Sequence, residues 1–225
     1  YTAVQLPGVF QAVEINYPKE NRREMRVLTR EEQNRFAEFL MNDTDFCKFG
    51  TLLMLLSGIR IGELCALKWG NINLAERTIR ISATLQRLHN ADINAQNRTK
   101  IIIGSPKSDN SARVIPLTEY ALTLCRRFQA DNPEAYILTG TEKLMEPRAL
   151  QYRIEKYTRE CGLEGVHAHT LRHTFATRAV EVGFEIKSLS EVLGHANTTV
   201  TLERYVHSSM ELKRTNMEKL KAVGL

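Results

Sequence analysis

Several features that would narrow the function of this chain are scarce in it. Its 225 residues include only four cysteines, Cys47, Cys65, Cys125 and Cys161, which form no CxxC pair and lie among apolar neighbours. This pattern argues against a disulfide framework or a cysteine zinc site and predicts buried free thiols in a reducing cytosol. The longest apolar run, around Leu52–Leu56, is far shorter than the roughly 20 residues of a membrane-spanning helix.

The chain also lacks a strong excess of basic over acidic residues. Lys and Arg number 31 and Asp and Glu 26, which gives a net charge of +5 and a pI near 9.1. This balance favours an anionic partner, but it is equally compatible with an ordinary basic enzyme. Apolar residues make up 43% of the chain, enough for the core of one large domain or of a domain with an appendage.

The first regular elements are predicted to be helices that begin after residue 27. Residues 1–27 show no sustained periodicity and are predicted to be a linker, and the absence of a starting Met suggests that an N-terminal portion is missing. Thr29 and Glu32 form a capping box for the first helix. Residues 45–56 are apolar almost all round, as in a central buried helix, and Gly58 ends it.

From Trp69 to Leu117 the hydrophobic period changes to two. Thr78–Ser82 alternates, Lys100–Ile103 is rich in β-branched residues, and Ala112–Ile115 leads into a proline, which predicts a small antiparallel sheet of about three strands. The polar residues 86–99 form either a hairpin tip or a loop. Helices are predicted again for Glu119–Gln129, capped by Thr118, and from Pro147 to Cys161. The fold class is therefore α+β, mainly helical, with a small antiparallel β-sheet on one side.

Two basic residues stand at turns of this first part. Arg60 follows the second helix, where its guanidinium either faces a cleft or pairs with Glu63 on the surface. Lys107 lies at the tip of the turn formed by residues 105–111, a place where most lysines are simply solvated. Neither residue by itself indicates a function.

The reactive side chains are concentrated between His169 and Tyr205. Thr170 is predicted to cap a helix that runs to about Val182 with Leu171, Phe175, Ala179 and Val182 as its buried stripe, so that His169 and Arg172 share its exposed start. A second helix, about Ile186–Leu193, ends at Gly194, which directs His195 out of the turn. A third helix, capped by Asn197 or Thr198, carries Tyr205.

Two readings of this stretch do not involve a tyrosine nucleophile. His169, His173 and His195 could bind a metal, but Thr170 occupies the position of the glutamate in an HExxH motif, and Arg172 would add a cation beside the ion. Three short helices also fit a non-enzymatic helix-turn-helix DNA-binding module, which would explain the basic pI but not the histidines.

Four segments, SGIRIGEL, SPKSDNSARVIPL, HTLRHTFAT and LGHANTTVTLERY, resemble the catalytic domain of the tyrosine recombinases, the phage integrase family, and are most similar to integrases of conjugative transposons. The motifs occur in the family's order over roughly residues 27–210. The resemblance implies the following catalytic set: Arg60 and Arg172 on the scissile phosphate, Lys107 on the hairpin, His169 and His195, and Tyr205 as nucleophile. Glu63 matches a supporting acidic position, and His173 matches a frequent residue outside the catalytic set, which we assign to packing or hydrogen bonding.

The chemistry of these residue types agrees with that set. Two guanidiniums can neutralise the charge that builds on phosphate oxygens, so neither a metal nor another cofactor is needed. A free tyrosine has a pKa near 10 and needs a proton acceptor, for which His169 is the candidate base. Lys107 can protonate the departing 5′ oxygen, and His195 can orient the phosphate.

The resemblance implies a site-specific recombinase that cleaves and rejoins DNA through a 3′-phosphotyrosine bond, for integration and excision of a mobile element. A type IB topoisomerase, which uses a similar set of residues, is the alternative within the same chemistry. The implied organisation is a linker from a missing N-terminal DNA-binding region (1–27), a catalytic domain (28–207) and a helical tail (208–225) that docks on its own domain or on a neighbouring subunit. The expected partners are double-stranded DNA at attachment or transposon-end sites, further copies in a homo-tetramer and an accessory excision factor, in the bacterial cytoplasm.

Overall fold

The computed structural model describes residues 25–90, 98–104, 112–205 and 217–218. Most of the predicted linker and tail, and the predicted catalytic residue Lys107, lie outside these residues. The described elements are, in chain order, α1 Arg30–Met41, α2 Phe46–Ser57, α3 Ile61–Ala66, β1 Ile72–Asn73, β2 Thr78–Ile81, β3 Thr84–His89, β4 Thr99–Gly104, β5 Arg113–Pro116, α4 Glu119–Phe128, α5 Pro147–Glu160, α6 Ala168–Glu181, α7 Ile186–Leu193 and α8 Thr198–Tyr205. The mainly helical fold class is confirmed. Within the described ranges no helix has the length and apolar character needed to cross a membrane.

The start of α1 and the end of α2 lie at the residues that the sequence predicts. The Thr29 hydroxyl accepts from the Glu32 backbone N–H, and the Glu32 carboxylate accepts from the Thr29 backbone N–H, which completes the capping box of α1. The Asp45 carboxylate caps α2 by accepting from the Lys48 backbone N–H at 2.7 Å. Gly58 ends α2 in the left-handed region with φ 67°. Because nearly every residue of α2 is buried, this helix forms the centre of the main core.

The strands form two antiparallel sheets, not the single three-stranded sheet that the sequence predicts. One sheet has the order β1-β2-β5, and β3 pairs with β4 in a separate two-stranded ribbon. The prediction missed β3 because, of its six residues, only Leu85 is buried, so that the strand has no run of alternating apolar residues. Its pairing, with Leu85 opposite Ile103, shows that residues 86–99 contain parts of two strands.

Helix α6 begins earlier than the sequence predicts. Its N-cap is His167, whose Nδ1 accepts from the backbone N–H of Thr170 at 3.4 Å, so Thr170 lies inside the first turn instead of capping the helix. Val182, predicted to be buried, is 77% exposed because α6 ends at Glu181 and the chain turns at Gly183, where φ is 82°.

A second, smaller apolar cluster holds the three C-terminal helices together. It consists of Ala176, Ala179, Leu189, Leu193 and Tyr205, from α6, α7 and α8. The last residue of α8 is therefore part of a core. Helix α6 also packs on α2, which joins this cluster to the centre of the molecule.

Candidate active site

Arg172 is buried inside the protein. The sequence analysis had instead predicted that it lies at the exposed start of a helix. Arg172 is 4% exposed, because α6 packs against α2. The guanidinium donates to the carbonyl oxygens of Gly58 and Leu193, both at 2.6 Å. These carbonyls belong to the C-terminal ends of α2 and α7, where the partial negative charge of a helix favours a cation.

Arg60 pairs with Glu63, as one of the two alternatives proposed, but the carboxylate is buried and not on the surface. Its Nη1 is 2.8 Å from Glu63 Oε1, and its Nη2 donates to the carbonyl of Gly194 at 2.7 Å. The side chain remains 34% exposed. It therefore pairs with Glu63 and also reaches the turn that precedes His195.

Arg113 is a member of this site that the sequence reasoning missed. It forms a fork with Glu63, with Nη1 and Nη2 at 2.9 and 2.8 Å from the two carboxylate oxygens, and its Nε donates to the carbonyl of Val192 at 2.6 Å. The two side chains are 6% and 2% exposed. Strand alternation contains the signal, because Arg113 lies two residues before the buried Ile115 and therefore on the same face of β5.

The three arginines give the site an excess of positive charge. Arg60 and Arg113 pair with the carboxylate of Glu63, and Arg172 lies near enough for the charges of all three to act on it. Burial lowers the pKa of Arg172 to about 9, and Arg60 and Arg113 act in the same direction, while Glu63 and Tyr205 act against it. A bound anion would relieve this repulsion, so the arrangement suits a phosphate group.

Tyr205 lies beside two histidines. It is 5% exposed, and its hydroxyl is 2.7 Å from Nδ1 of His173. Its ring is parallel to that of His195, at 4° and 6.4 Å between centroids. The prediction that His173 takes part in packing or hydrogen bonding is confirmed, but its partner is the hydroxyl of the predicted nucleophile.

The two histidines of the predicted catalytic set occupy different depths. His169 is exposed on the first turn of α6, with its ring 6.3 Å from that of His173. His195 is half-buried, and its Nδ1 is 2.8 Å from the hydroxyl of Thr201. Over the described part of the chain, no three His, Cys, Asp or Glu side chains are grouped closely enough to hold a metal ion. A metal site at His169, His173 and His195 therefore has no geometric support.

Of the predicted residues, the structure brings together Arg60, Arg172, His195 and Tyr205, with His169 one helical turn from His173. It adds Glu63, Arg113 and His173 to them. Lys107 belongs to residues 105–111, which are not described.

Comparison with known proteins gives a consistent result. Residues 26–211 match the sequence profile of the phage integrase family. A tyrosine recombinase of Pseudothermotoga lettingae is 29% identical over 219 residues, which cover 93% of this chain and 66% of the relative. The transposase of transposon Tn916 from Enterococcus faecalis is 28% identical over 218 residues, covering 86% of this chain and 52% of the relative. The chain thus spans one half to two thirds of the length of these relatives.

Solved structures show the same fold. The integrase of transposon Tn1549, determined in complex with a circular intermediate DNA, superposes with a TM-score of 0.72 at 23% identity, covering 90% of this chain and 68% of that one. The XerA recombinase superposes with a TM-score of 0.63 at 22% identity, covering 88% and 65%.

Proposed function

Because the chain belongs to the phage integrase family, we propose that it is the catalytic part of a site-specific DNA recombinase that integrates and excises a mobile element. The observation that carries the proposal is a group of three arginines, two of which pair with Glu63, next to a buried tyrosine whose hydroxyl contacts an imidazole. Excess positive charge suits a phosphodiester, and the tyrosine supplies a nucleophile. A site for hydrolysis would need to position water instead.

In the proposed reaction, Arg60 and Arg172 bind the non-bridging oxygens of the scissile phosphate. The Tyr205 oxygen attacks phosphorus, the bond to the 5′ oxygen breaks, and a 3′-phosphotyrosine and a free 5′-hydroxyl result. The arginines stabilise the charge that develops in the transition state, without a metal ion. The covalent bond retains the energy of the phosphodiester, so a 5′-hydroxyl from another strand can rejoin the DNA without ATP.

The remaining members of the predicted set act on protons and orientation. Lys107 protonates the departing 5′ oxygen, and His195 donates to a phosphate oxygen. His169, at the exposed start of α6, lies where it can exchange protons with solvent. The packing of His195 against Tyr205 supports a role in setting the direction of the tyrosine.

The proposed organisation places this domain, residues 28–207, within a longer recombinase. The proposed linker from an N-terminal DNA-binding region (residues 1–27) and the proposed C-terminal tail (residues 208–225) lie almost wholly outside the described residues. The proposed partners are double-stranded DNA at the element's ends, three further copies in the synapse and an accessory excision factor. The DNA complexes of the Tn1549 integrase support the first of these.

A nicked suicide duplex tests the proposal, because it loses the 5′-hydroxyl fragment after cleavage and traps the covalent intermediate. The duplex should carry the end sequences of the element that encodes the chain. Wild-type protein should form a covalent adduct visible on a denaturing gel, and Tyr205→Phe should bind the duplex but form none. An adduct that persists in Tyr205→Phe would overturn the assignment of the nucleophile.

A further inference from the structure

The hydroxyl of Tyr205 is in hydrogen-bonding distance of a histidine outside the set that the family resemblance implies. Its oxygen is 2.7 Å from Nδ1 of His173, with the two rings tilted by 48° at 5.7 Å between centroids. This distance is within the range for an O–H donor and an imidazole acceptor. The pair is enclosed, since Tyr205 is 5% exposed and His173 is half-buried.

His173 is also carried on a rigidly held part of α6. The neighbouring threonines, Thr170 and Thr174, are fully buried, and the Thr174 hydroxyl accepts from the backbone N–H of Leu28 at 3.0 Å. Arg172 fixes the same turn to the ends of α2 and α7. A group placed in this way can hold an acceptor atom in position without further reorganisation.

His169 is set further out. It lies one turn before His173, exposed at the start of α6, with ring centroids 6.3 Å apart. His173 therefore stands between the nucleophile and the exposed histidine. The order from inside to outside is Tyr205, His173, His169.

We propose that His173, and not His169, takes the proton of the Tyr205 hydroxyl during strand cleavage. This inference rests on the proposed function. As the tyrosine oxygen bonds to phosphorus, its proton passes to Nδ1 of His173, and the phosphorus–5′ oxygen bond breaks with a proton supplied by Lys107. In rejoining, the 5′-hydroxyl returns its proton to Lys107, and the imidazolium of His173 returns its own to the phenolate. No proton or electron pair is left over in either direction.

The other ionisable groups of this region affect the pH at which the transfer occurs. They are His169 and Arg172 of α6, His195 after α7, Arg60 at the N-cap of α3, Glu63 of α3 and Arg113 of β5. Among these side chains, only histidine has an unperturbed pKa between pH 5 and 8. The dependence of the cleavage rate on pH can therefore distinguish a variant of His173 from a variant of His169.

The decisive variant is His173→Asn, since an asparagine side-chain oxygen can accept the tyrosine hydrogen bond but cannot take up its proton. The experiment measures single-turnover adduct formation against pH on the suicide duplex, with His169→Asn as the matched control. It is repeated with a duplex whose 5′ bridging oxygen is replaced by sulfur, a leaving group that needs no proton. Circular dichroism melting and DNA binding check each variant, and His173→Gln serves if the asparagine variant does not fold.

We expect His173→Asn to slow cleavage at neutral pH by about 10²-fold or more, the usual contribution of a general base. Its rate should keep rising with pH towards the tyrosine range, while the wild-type rate levels off once histidine is neutral. The sulfur substrate should leave this defect in place and should rescue Lys107→Ala.

Two results would overturn the inference while leaving the proposed function intact. In the first, His173→Asn cleaves at the wild-type rate and with the wild-type pH profile. In the second, the rate of His169→Asn keeps rising with pH, while that of His173→Asn levels off as in the wild type. Absence of any adduct from the wild-type protein on a bound duplex would instead contradict the proposed function itself.

Discussion

Arg172 has two roles: it connects the ends of two helices, and it places a positive charge in the site. Its guanidinium donates to Gly58 and Leu193, so a replacement affects both the position of the charge and its presence. Arg172→Ala should reduce adduct formation by at least about 10³-fold, as expected for loss of a group acting mainly in the transition state. Arg172→Lys should be intermediate, because it keeps the charge and loses the fork.

The control for Arg172 is Arg126→Ala, which removes an exposed arginine from α4, a helix that does not line the site. It should leave the single-turnover rate unchanged. Equal rates for Arg172→Ala and Arg126→Ala would contradict the assignment of Arg172 to the phosphate.

Glu63 makes the stability of the protein depend on pH. Burial alone would raise its pKa, but the hydrogen bonds and charges of Arg113 and Arg60 outweigh burial and lower it. A carboxylate with a lowered folded-state pKa stabilises the fold above its unfolded-state pKa, and this stabilisation is lost as pH falls through the folded-state pKa. Glu63→Gln should therefore lower the free energy of unfolding by on the order of 3 kcal/mol at pH 7, and the difference from wild type should shrink below about pH 4.3.

Urea denaturation at pH 7 and at acidic pH measures this effect. Glu134→Gln is the matched control, because Glu134 is 66% exposed and pairs with Lys68 on the surface. Its effect should stay below about 1 kcal/mol. A Glu63→Gln difference that is the same at both pH values would contradict the account.

At the scale of elements, the site depends on the packing of the C-terminal end of α2, at Gly58, against α6 and α7, here called the joint. An alanine Cβ at Gly58 would lie 2.5 Å from Phe175 Cδ1 and 3.0 Å from Leu193 Cδ2, and φ there is 67°. Gly162, after α5, has the same φ of 67° but no atom within 4 Å of such a Cβ. The two glycines therefore separate backbone strain from packing.

Gly162→Ala should destabilise the protein by about 1 kcal/mol, the strain of a left-handed alanine. Gly58→Ala should lower the free energy of unfolding by an additional 1–3 kcal/mol or so through overpacking. It should also slow adduct formation, because it shifts the Gly58 carbonyl that accepts from Arg172. Urea denaturation of both variants provides the comparison. Equal losses would show that the joint does not depend on close packing at Gly58.

For the molecule as a whole, the sequence predicts best what local chemistry decides. The capping box of Thr29 and Glu32, the all-round apolar α2 and its end at Gly58 could be read from neighbouring residues. The burial of Arg172 and the pairing of β3 with β4 could not, because each depends on residues far along the chain.

The same distinction holds for the active site. Family motifs indicated most of the charged set, whereas Arg113 and the contact of His173 with Tyr205 became visible only when the elements were packed together. For Arg113 the one local signal was its position two residues before Ile115, and a strand of four residues is too short for this alternation to stand out.

The most direct test of the central claim is to identify the bond in the trapped intermediate. Wild-type protein is reacted with the suicide duplex, digested, and the DNA-linked peptide is mapped by mass spectrometry together with the chemistry of both DNA ends. The account predicts a peptide joined through the phenolic oxygen of Tyr205 to a 3′-phosphate, with a free 5′-hydroxyl on the released strand. Linkage through any other residue, or to a 5′-phosphate, would contradict it.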